Sequence, residues 1–176
     1  MGGIDFFILD TRRFRSEQTM SDGPDKTMLG SEQKSWLKER LKASTGPFKF
    51  IISSVPFHGS LADTWGSYRT ERDDIAGFIR GEKIRGTIFL TGDYHLARDL
   101  SNSNTGLREY MPGPIASFTQ YQFSPESRAY NEKIGNFHYG DGYTFGLWRI
   151  DPAAGKARLE FVHLNGESLF HTELIA

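Results

Sequence analysis

The stretch Thr87-Ile88-Phe89-Leu90-Thr91-Gly92-Asp93-Tyr94-His95-Leu96-Ala97 decides how the rest of the chain is read. Ile88-Phe89-Leu90 has the length and bulk of a buried strand. The run stops at Gly92, a residue that lets the backbone turn sharply. Asp93 and His95 come next. On an extended continuation, residues i and i+2 project to the same side, so a carboxylate and an imidazole share one face. Oxygen and nitrogen donors at the carboxyl end of a core strand suit a divalent metal. The alternative is an Asp-His hydrogen-bonded pair that closes the strand end.

Upstream, Ile4 to Leu9 reads as another buried strand, ending in Asp10-Thr11-Arg12-Arg13-Phe14-Arg15. Guanidinium forks suit phosphate oxygens, so Asp10, Arg12 and Arg15 mark either an anion site or a solvated basic loop. Gly30-Ser31-Glu32-Gln33 opens a helix whose apolar face is Trp36, Leu37 and Leu41, and Gly46-Pro47 ends it. Phe48 to Ser53 is the next strand. It runs into Ser54-Val55-Pro56-Phe57-His58-Gly59, where His58 is a candidate metal ligand or proton donor, or a surface histidine. Thr70 with Asp73 predicts a capping box for a second helix that buries Ile75, Phe78 and Ile79 and ends at Gly81. The order β-α-β-α-β favours a largely parallel sheet with right-handed crossovers. The strand ends after Leu9, Ser53 and Leu90 then open on one edge, where ligands bind in open α/β sheets.

Downstream, Arg98 to Asp141 is rich in Gly, Ser, Asn and Pro, with Phe118, Tyr121, Phe123, Tyr130, Phe137 and Tyr139 interleaved. It reads as one long irregular connection, with a short strand at Pro114–Phe118. So long a connection is usually a functional loop or a partner surface. Tyr143 to Ile150, Ala157 to His163 and Ser168 to Leu174 alternate as strands, the last two joined by Asn165-Gly166, a strong hairpin signal. An antiparallel meander covering one edge of the sheet is expected. His138, His163 and His171 are assigned to structure rather than chemistry.

The chain has 176 residues, 38% of them hydrophobic and 14% aromatic, which fits one folded α/β domain over residues 1–176. Net charge is −1, from 21 basic and 22 acidic residues that are well mixed, so no nucleic-acid-binding stripe exists. Cysteine is absent, which excludes thiolate ligands, a cysteine nucleophile and disulfides. No apolar run reaches membrane-spanning length, and no signal peptide is expected before the first strand.

Taken together, the strand-end motifs resemble a known family. Leu9-Asp10-Thr11-Arg12 with Arg15, Met28-Leu29-Gly30 with Gln33 and Trp36-Leu37, Ser53-Ser54-Val55-Pro56-Phe57, and Asp63, Trp65, Tyr68 and Glu71-Arg72 resemble the C-terminal half of PhoD-like alkaline phosphatases. Gly92-Asp93-Tyr94-His95 looks like that family's last metal motif, Gly-Asp-x-His. The family belongs to the calcineurin-like metallophosphoesterases, so the resemblance implies half of a β-sandwich flanked by helices. It implies a two-metal phosphoesterase in which a metal-bound hydroxide attacks phosphate monoesters, or diesters, with Asp93 and His95 as ligands. Ca, Fe, Zn, Mn or Mg are all compatible. His58 is then a further ligand or a leaving-group acid, and Arg12, Arg15, Arg98, Asp63 and Tyr68 are the candidate substrate-binding residues.

The departures are equally plain. The superfamily's earlier motifs, Asp-x-His, Gly-Asp-x-x-Asp and Gly-Asn-His-Asp/Glu, have no counterpart in these residues. Ser54, not histidine, precedes Val55-Pro56, and His58 lies beyond. The chain thus carries half of a two-metal site, which a homo-oligomer sharing loops or a single-metal centre could complete. Two other readings follow: a non-catalytic half-domain that self-associates, and a binding module using the aromatic Phe118–Tyr139 loop. The expected partner is a small phosphate ester, with no nucleic acid and no membrane surface. The family is often exported.

Overall fold

The computed structural model describes residues 3–59, 63–100 and 105–176. In chain order these form β1 (Ile4–Ile8), α1 (Gly30–Ala43), β2 (Phe48–Ile52), α2 (Arg69–Gly81), β3 (Thr87–Leu90), β4 (Ala97–Asp99) and β5 (Arg108–Pro112). Then follow α3 (Gln120–Phe123), α4 (Ser127–Ile134), β6 (Phe137–Tyr139), β7 (Thr144–Asp151), β8 (Lys156–His163) and β9 (Ser168–Ile175). The strands make a six-stranded sheet, β1-β2-β3-β5-β4-β6, and a three-stranded sheet, β7-β8-β9. β1, β2, β3 and β5 are parallel neighbours, whereas β4 runs antiparallel to both β5 and β6. Ile8, Ile52 and Leu90 align across the first three strands, so their following loops leave the sheet side by side.

Alternation along the strands builds two cores on one sheet. Phe7, Ile51 and Phe89 point toward α1 and α2 and pack with Leu37, Leu41, Ile75 and Ile79. Phe48, Phe50, Ile88 and Tyr110 point the other way, onto Leu159, Phe161 and Leu174 of the small sheet. Trp148 of β7 lies edge-on to Phe50 and Tyr110, with ring centroids 5.0 and 5.6 Å away. The C-terminal meander therefore covers a face of the large sheet, not the expected edge. Its inward residues Ala157, Leu159 and Phe161 form an apolar face that only another sheet face can bury.

Two further expectations give way. The stretch after Arg98 is not one irregular loop: it holds β4, β5, α3, α4 and β6, while Pro114–Phe118 is not a strand, and residues 101–104 lie outside the described set. β4 and β6 have three residues each, too few to show a period, and β5 turns a charged side chain, Glu109, inward. The capping box also fails. α2 starts at Arg69, with Thr70 inside its first turn. The Thr70 amide and hydroxyl donate to the Asp22 carboxylate at 3.3 and 3.1 Å, and Asp73 accepts from Arg72 instead. A carboxylate brought in by the tertiary fold takes the place of the local one.

The approach to α1 is held by the tertiary fold as well. Buried Glu71 of α2 accepts from the amides of Met28 and Leu29 and from the Thr27 hydroxyl, which in turn accepts from Gly30, the first amide of α1. At the sheet's outer edge β1 is poorly covered. Phe6 and Ile8 remain 52% and 73% exposed on the face where Phe6 stacks on Phe50. Among the described residues no helix is long and apolar enough to cross a membrane.

Candidate active site at the strand ends

The loop after β1 is built to hold its arginines still. The Asp10 side chain accepts from the amides of Arg12 and Arg13, both at 2.9 Å, and these two bonds hold its carboxyl below the usual carboxylate range. The Gln33 side chain of α1 clasps the Asp10 backbone in both directions, at 2.8 and 2.9 Å. Arg12 then pairs with Asp63 in a two-pronged contact, both prongs at 3.0 Å, and Arg15 donates to the same carboxylate. Burial alone would raise the Asp63 pKa; hydrogen bonds from Arg15 and Arg12, with their charges, bring it below the ordinary value. Tyr68 is buried close by, its hydroxyl donating to the Ser16 carbonyl at 2.8 Å, and burial raises its pKa. The structure thus gathers Arg12, Arg15, Asp63 and Tyr68 into one group.

The loop after β2 is tied on both sides. Thr11 and Ser54 share a short hydroxyl contact, and the indole of buried Trp65 donates to Ser53 at 3.1 Å. His58 faces the other way, toward a residue that sequence reasoning missed. Glu109 of β5 is buried and accepts from the amides of Phe57 and His58 at 3.0 and 2.7 Å, and from the hydroxyl of Thr91. One carboxylate thereby binds the ends of β2, β3 and β5 together. His58 Nδ1 lies 2.8 Å from Glu109, and its Nε2 lies 2.6 Å from the Thr105 hydroxyl, so both ring nitrogens are engaged. Burial pushes the Glu109 pKa up, but hydrogen bonding and charge from His58, the Arg98 charge and the Thr91 hydrogen bond leave it lowered. Arg98 is equally buried, bonded to Asn131 and to the His58 carbonyl, with its guanidinium 5.3 Å from the Tyr94 ring centroid. It supports the Glu109 network and is not part of the Arg12–Arg15 group. Leu107-Arg108-Glu109-Tyr110-Met111 does not alternate, so only the Pro112-Gly113 turn signal marks where β5 ends, and its inward acid has no local signature.

The loop after β3 is of another kind. It is not extended: Asp93 and His95 have φ of 78° and 54°, left-handed values that suit Asp and His better than most residues but still carry strain. Gly92, by contrast, has no positive φ and room for a side chain, with the nearest atom to an added Cβ 3.9 Å away. The turn expected of the glycine is made by the two candidate ligands. Asp93 is exposed. His95 packs against Phe118 at 4.3 Å, its carbonyl accepts from Gln120, and its buried Nδ1 has no hydrogen-bond partner among the described residues. Two other histidines make structural contacts: His138 bonds the Tyr121 hydroxyl at 2.6 Å, and His163 accepts from the Asn165 amide, while His171 is exposed on β9.

An unpartnered imidazole nitrogen and an exposed carboxylate in the same strained turn fit a metal as donors. Their number does not complete a site: among the described residues no group of three or more His, Cys, Asp or Glu is placed to hold a metal ion. Asp93, His95 and His58 do not form such a group in this structure.

Comparison with known proteins agrees with this architecture. Alkaline phosphatase D of Bacillus subtilis (strain 168) is 31% identical over 110 residues, covering 51% of this chain and 19% of that protein. A solved structure of PhoD superposes with a TM-score of 0.69 at 21% identity, covering 98% of this chain and 38% of the other, a likeness of fold. The chain thus spans less than two fifths of the length of either relative. The family described as PhoD-like phosphatase matches residues 1–161, and the chain belongs to it.

Proposed function

We propose that this chain contributes one wall of a metal-dependent phosphoesterase site acting on phosphate monoesters, and on diesters, at neutral to alkaline pH. The observation that carries the reading is the turn after β3, where Asp93 and His95 hold strained conformations and His95 presents a buried nitrogen without a partner among the described residues. Strain of this kind clusters at active sites and ligand clamps. Asp93 and His95 serve as metal donors, and a bound divalent ion there supplies Lewis-acid stabilisation of the phosphoryl oxygens. Arg12 and Arg15 hold the phosphate, and Tyr68 backs their loop. His58, held at Nδ1 by Glu109, protonates the leaving oxygen through Nε2 or joins the ligands once Thr105 lets go. The remaining donors come from residues beyond this chain or from a second copy.

The test is metal content by elemental analysis on chelator-treated and re-metallated protein, with hydrolysis of a chromogenic phosphate ester followed in the same samples. Stoichiometric metal and restorable turnover are expected, both lost in the Asp93→Ala, His95→Ala variant. Unchanged metal content and activity in that variant would sink the proposal.

A second reading, a non-catalytic half-domain that self-associates, draws on a separate observation. Phe6, Ile8, Phe14 and Trp36 are 52, 73, 48 and 39% exposed around the outer strand β1. An open edge strand with apolar neighbours promotes association. Sedimentation should then show oligomers that Ile8→Lys dissolves, without turnover in either form. A monomer with metal-dependent turnover argues against it.

A further inference from the structure

We infer that Phe118 and Phe123 form an aromatic shelf beside His95 that receives a ring-bearing, apolar alcohol portion of the phosphate ester. The inference rests on the reading of His95 as a donor at the phosphate, and it names the substrate class of that same site. Three observations carry it.

The first is a continuous run of rings. The Phe118 ring lies 4.3 Å from the His95 ring and 5.0 Å from the Phe123 ring, centroid to centroid. Both phenylalanines are nevertheless open to solvent, at 47% and 73% exposure. Single exposed apolar side chains are ordinary, whereas a patch of them marks a surface that meets a ligand or a partner. This patch begins on a candidate metal donor, so a group bound at His95 has the shelf as its neighbour.

The second is that the packing of the segment does not account for the outer rings. The inward anchor of α3 is Tyr121, which is buried, bonds His138 and carries the Arg128 guanidinium 4.3 Å from its ring centroid. Phe118 and Phe123 flank this anchor and stay outside, where they add little to the core.

The third is the mounting. The Gln120 amide donates to the His95 carbonyl and the Tyr121 amide to the Gly140 carbonyl, each at 2.9 Å. The Tyr143 hydroxyl donates to the Ser117 carbonyl at 2.8 Å. Ser117, immediately before Phe118, has a φ of 80°, so strained positions lie on both sides of the His95–Phe118 contact. The shelf is held in place relative to His95, and seating a ring on it requires little reordering.

These features set what the shelf selects. Its rings carry no charge and leave the phosphate to other groups, so the shelf reads the substituent on the ester oxygen. An aromatic substituent can stack on the exposed phenyl rings or meet them edge-on. A methyl or glycerol group offers too little apolar area to do the same. One ring is enough, so the preference applies to monoesters and diesters alike.

The experiment is calorimetric titration of the re-metallated protein with benzylphosphonate and with methylphosphonate. The two share the anion, differ by one ring and contain no ester bond to hydrolyse. Wild type should bind benzylphosphonate about tenfold more tightly, the size expected of aromatic contacts. Phe118→Ala, Phe123→Ala should bring the ratio of affinities close to one. Equal affinities in wild type overturn the inference, as does a preference that survives in that variant or absence of binding by both phosphonates. Phe118 touches His95, so should circular dichroism show the double variant misfolded, Phe123→Ala decides. A reduced ratio in Phe123→Ala supports the shelf, and an unchanged ratio overturns it. No turnover is read, so the outcomes separate. Equal binding by a protein that hydrolyses esters refutes the shelf alone. A ring preference lost in Phe123→Ala, in a protein that hydrolyses nothing, refutes the phosphoesterase reading alone.

Discussion

The loops after β1 and β3 leave the same edge of one sheet, yet they are finished to different degrees. After β1, the Asp10 and Gln33 side chains satisfy backbone groups of the loop, and Arg12 and Arg15 pair with Asp63. After β3, two non-glycine residues sit at positive φ and an imidazole nitrogen is buried without a partner among the described residues. One loop has its charged groups paired within the chain, and the other carries backbone strain. Between them stands Glu109, whose carboxylate fastens the loop after β2 to Thr91 at the end of β3.

The largest effect should come from removing that fastening. Glu109→Ala leaves the Phe57 and His58 amides, the Thr91 hydroxyl and the Arg98 charge without their buried acceptor, which costs about 3–5 kcal/mol by analogy with other broken buried pairs. Denaturant midpoints measure this, and a loss under about 1 kcal/mol would show that the loops hold without it.

The contrast itself is sharpened by backbone substitutions in the turn after β3. Asp93→Gly relieves left-handed strain of about 1–2 kcal/mol against an entropic cost of about 0.5–1 kcal/mol, a net gain of about 0.5 kcal/mol. Gly92→Ala should be nearly neutral, since its backbone and surroundings accept a methyl group. Stability would thus be kept or raised as a metal donor is deleted, whereas a marked loss in Asp93→Gly would mean that the Asp93 side chain holds the turn by contacts of its own.

The smallest effect concerns acid. Asp63 has its pKa lowered from the ordinary 3.8, so its ion pairs stabilise the fold above that value and the contribution is lost as pH falls through the depressed folded-state pKa. Because the pair is largely exposed, the effect is under about 1 kcal/mol. Asp63→Asn should show a shallower loss of stability than wild type as pH drops below about 4. Equal slopes would mean that the pair adds nothing to the finished character of the first loop.

The local record was strongest where residues repeat a period or form a compact motif. Ile4–Leu9, Phe48–Ser53 and Ile88–Leu90 are largely apolar runs, broken only by Asp5, Lys49 and the closing Ser53, so β1, β2 and β3 and their shared edge could be read from the chain. So could both helices, the hairpin at Asn165-Gly166 and the family, whose motifs sit in those strand-end loops. Arg12, Arg15, Asp63 and Tyr68 were named from the sequence and do converge.

Three things were decided only in three dimensions. The meander covers a face because the apolar side of β8 needs an opposing sheet, and alternation says which residues turn inward but not what they meet. Asp22 bonds the first turn of α2 from far along the chain in place of the local capping box, and Glu71 holds the approach to α1, because a well-placed carboxylate satisfies amides the fold brings to it. The same holds at the site. Glu109 was invisible in a stretch of short elements, and the positive φ of Asp93 and His95 falls where local preference alone would not put it, since that would have placed the turn at Gly92. Sequence determines which groups are available and which strands form; the contacts that orient those groups come from residues distant in the chain, whose proximity only the folded sheet creates.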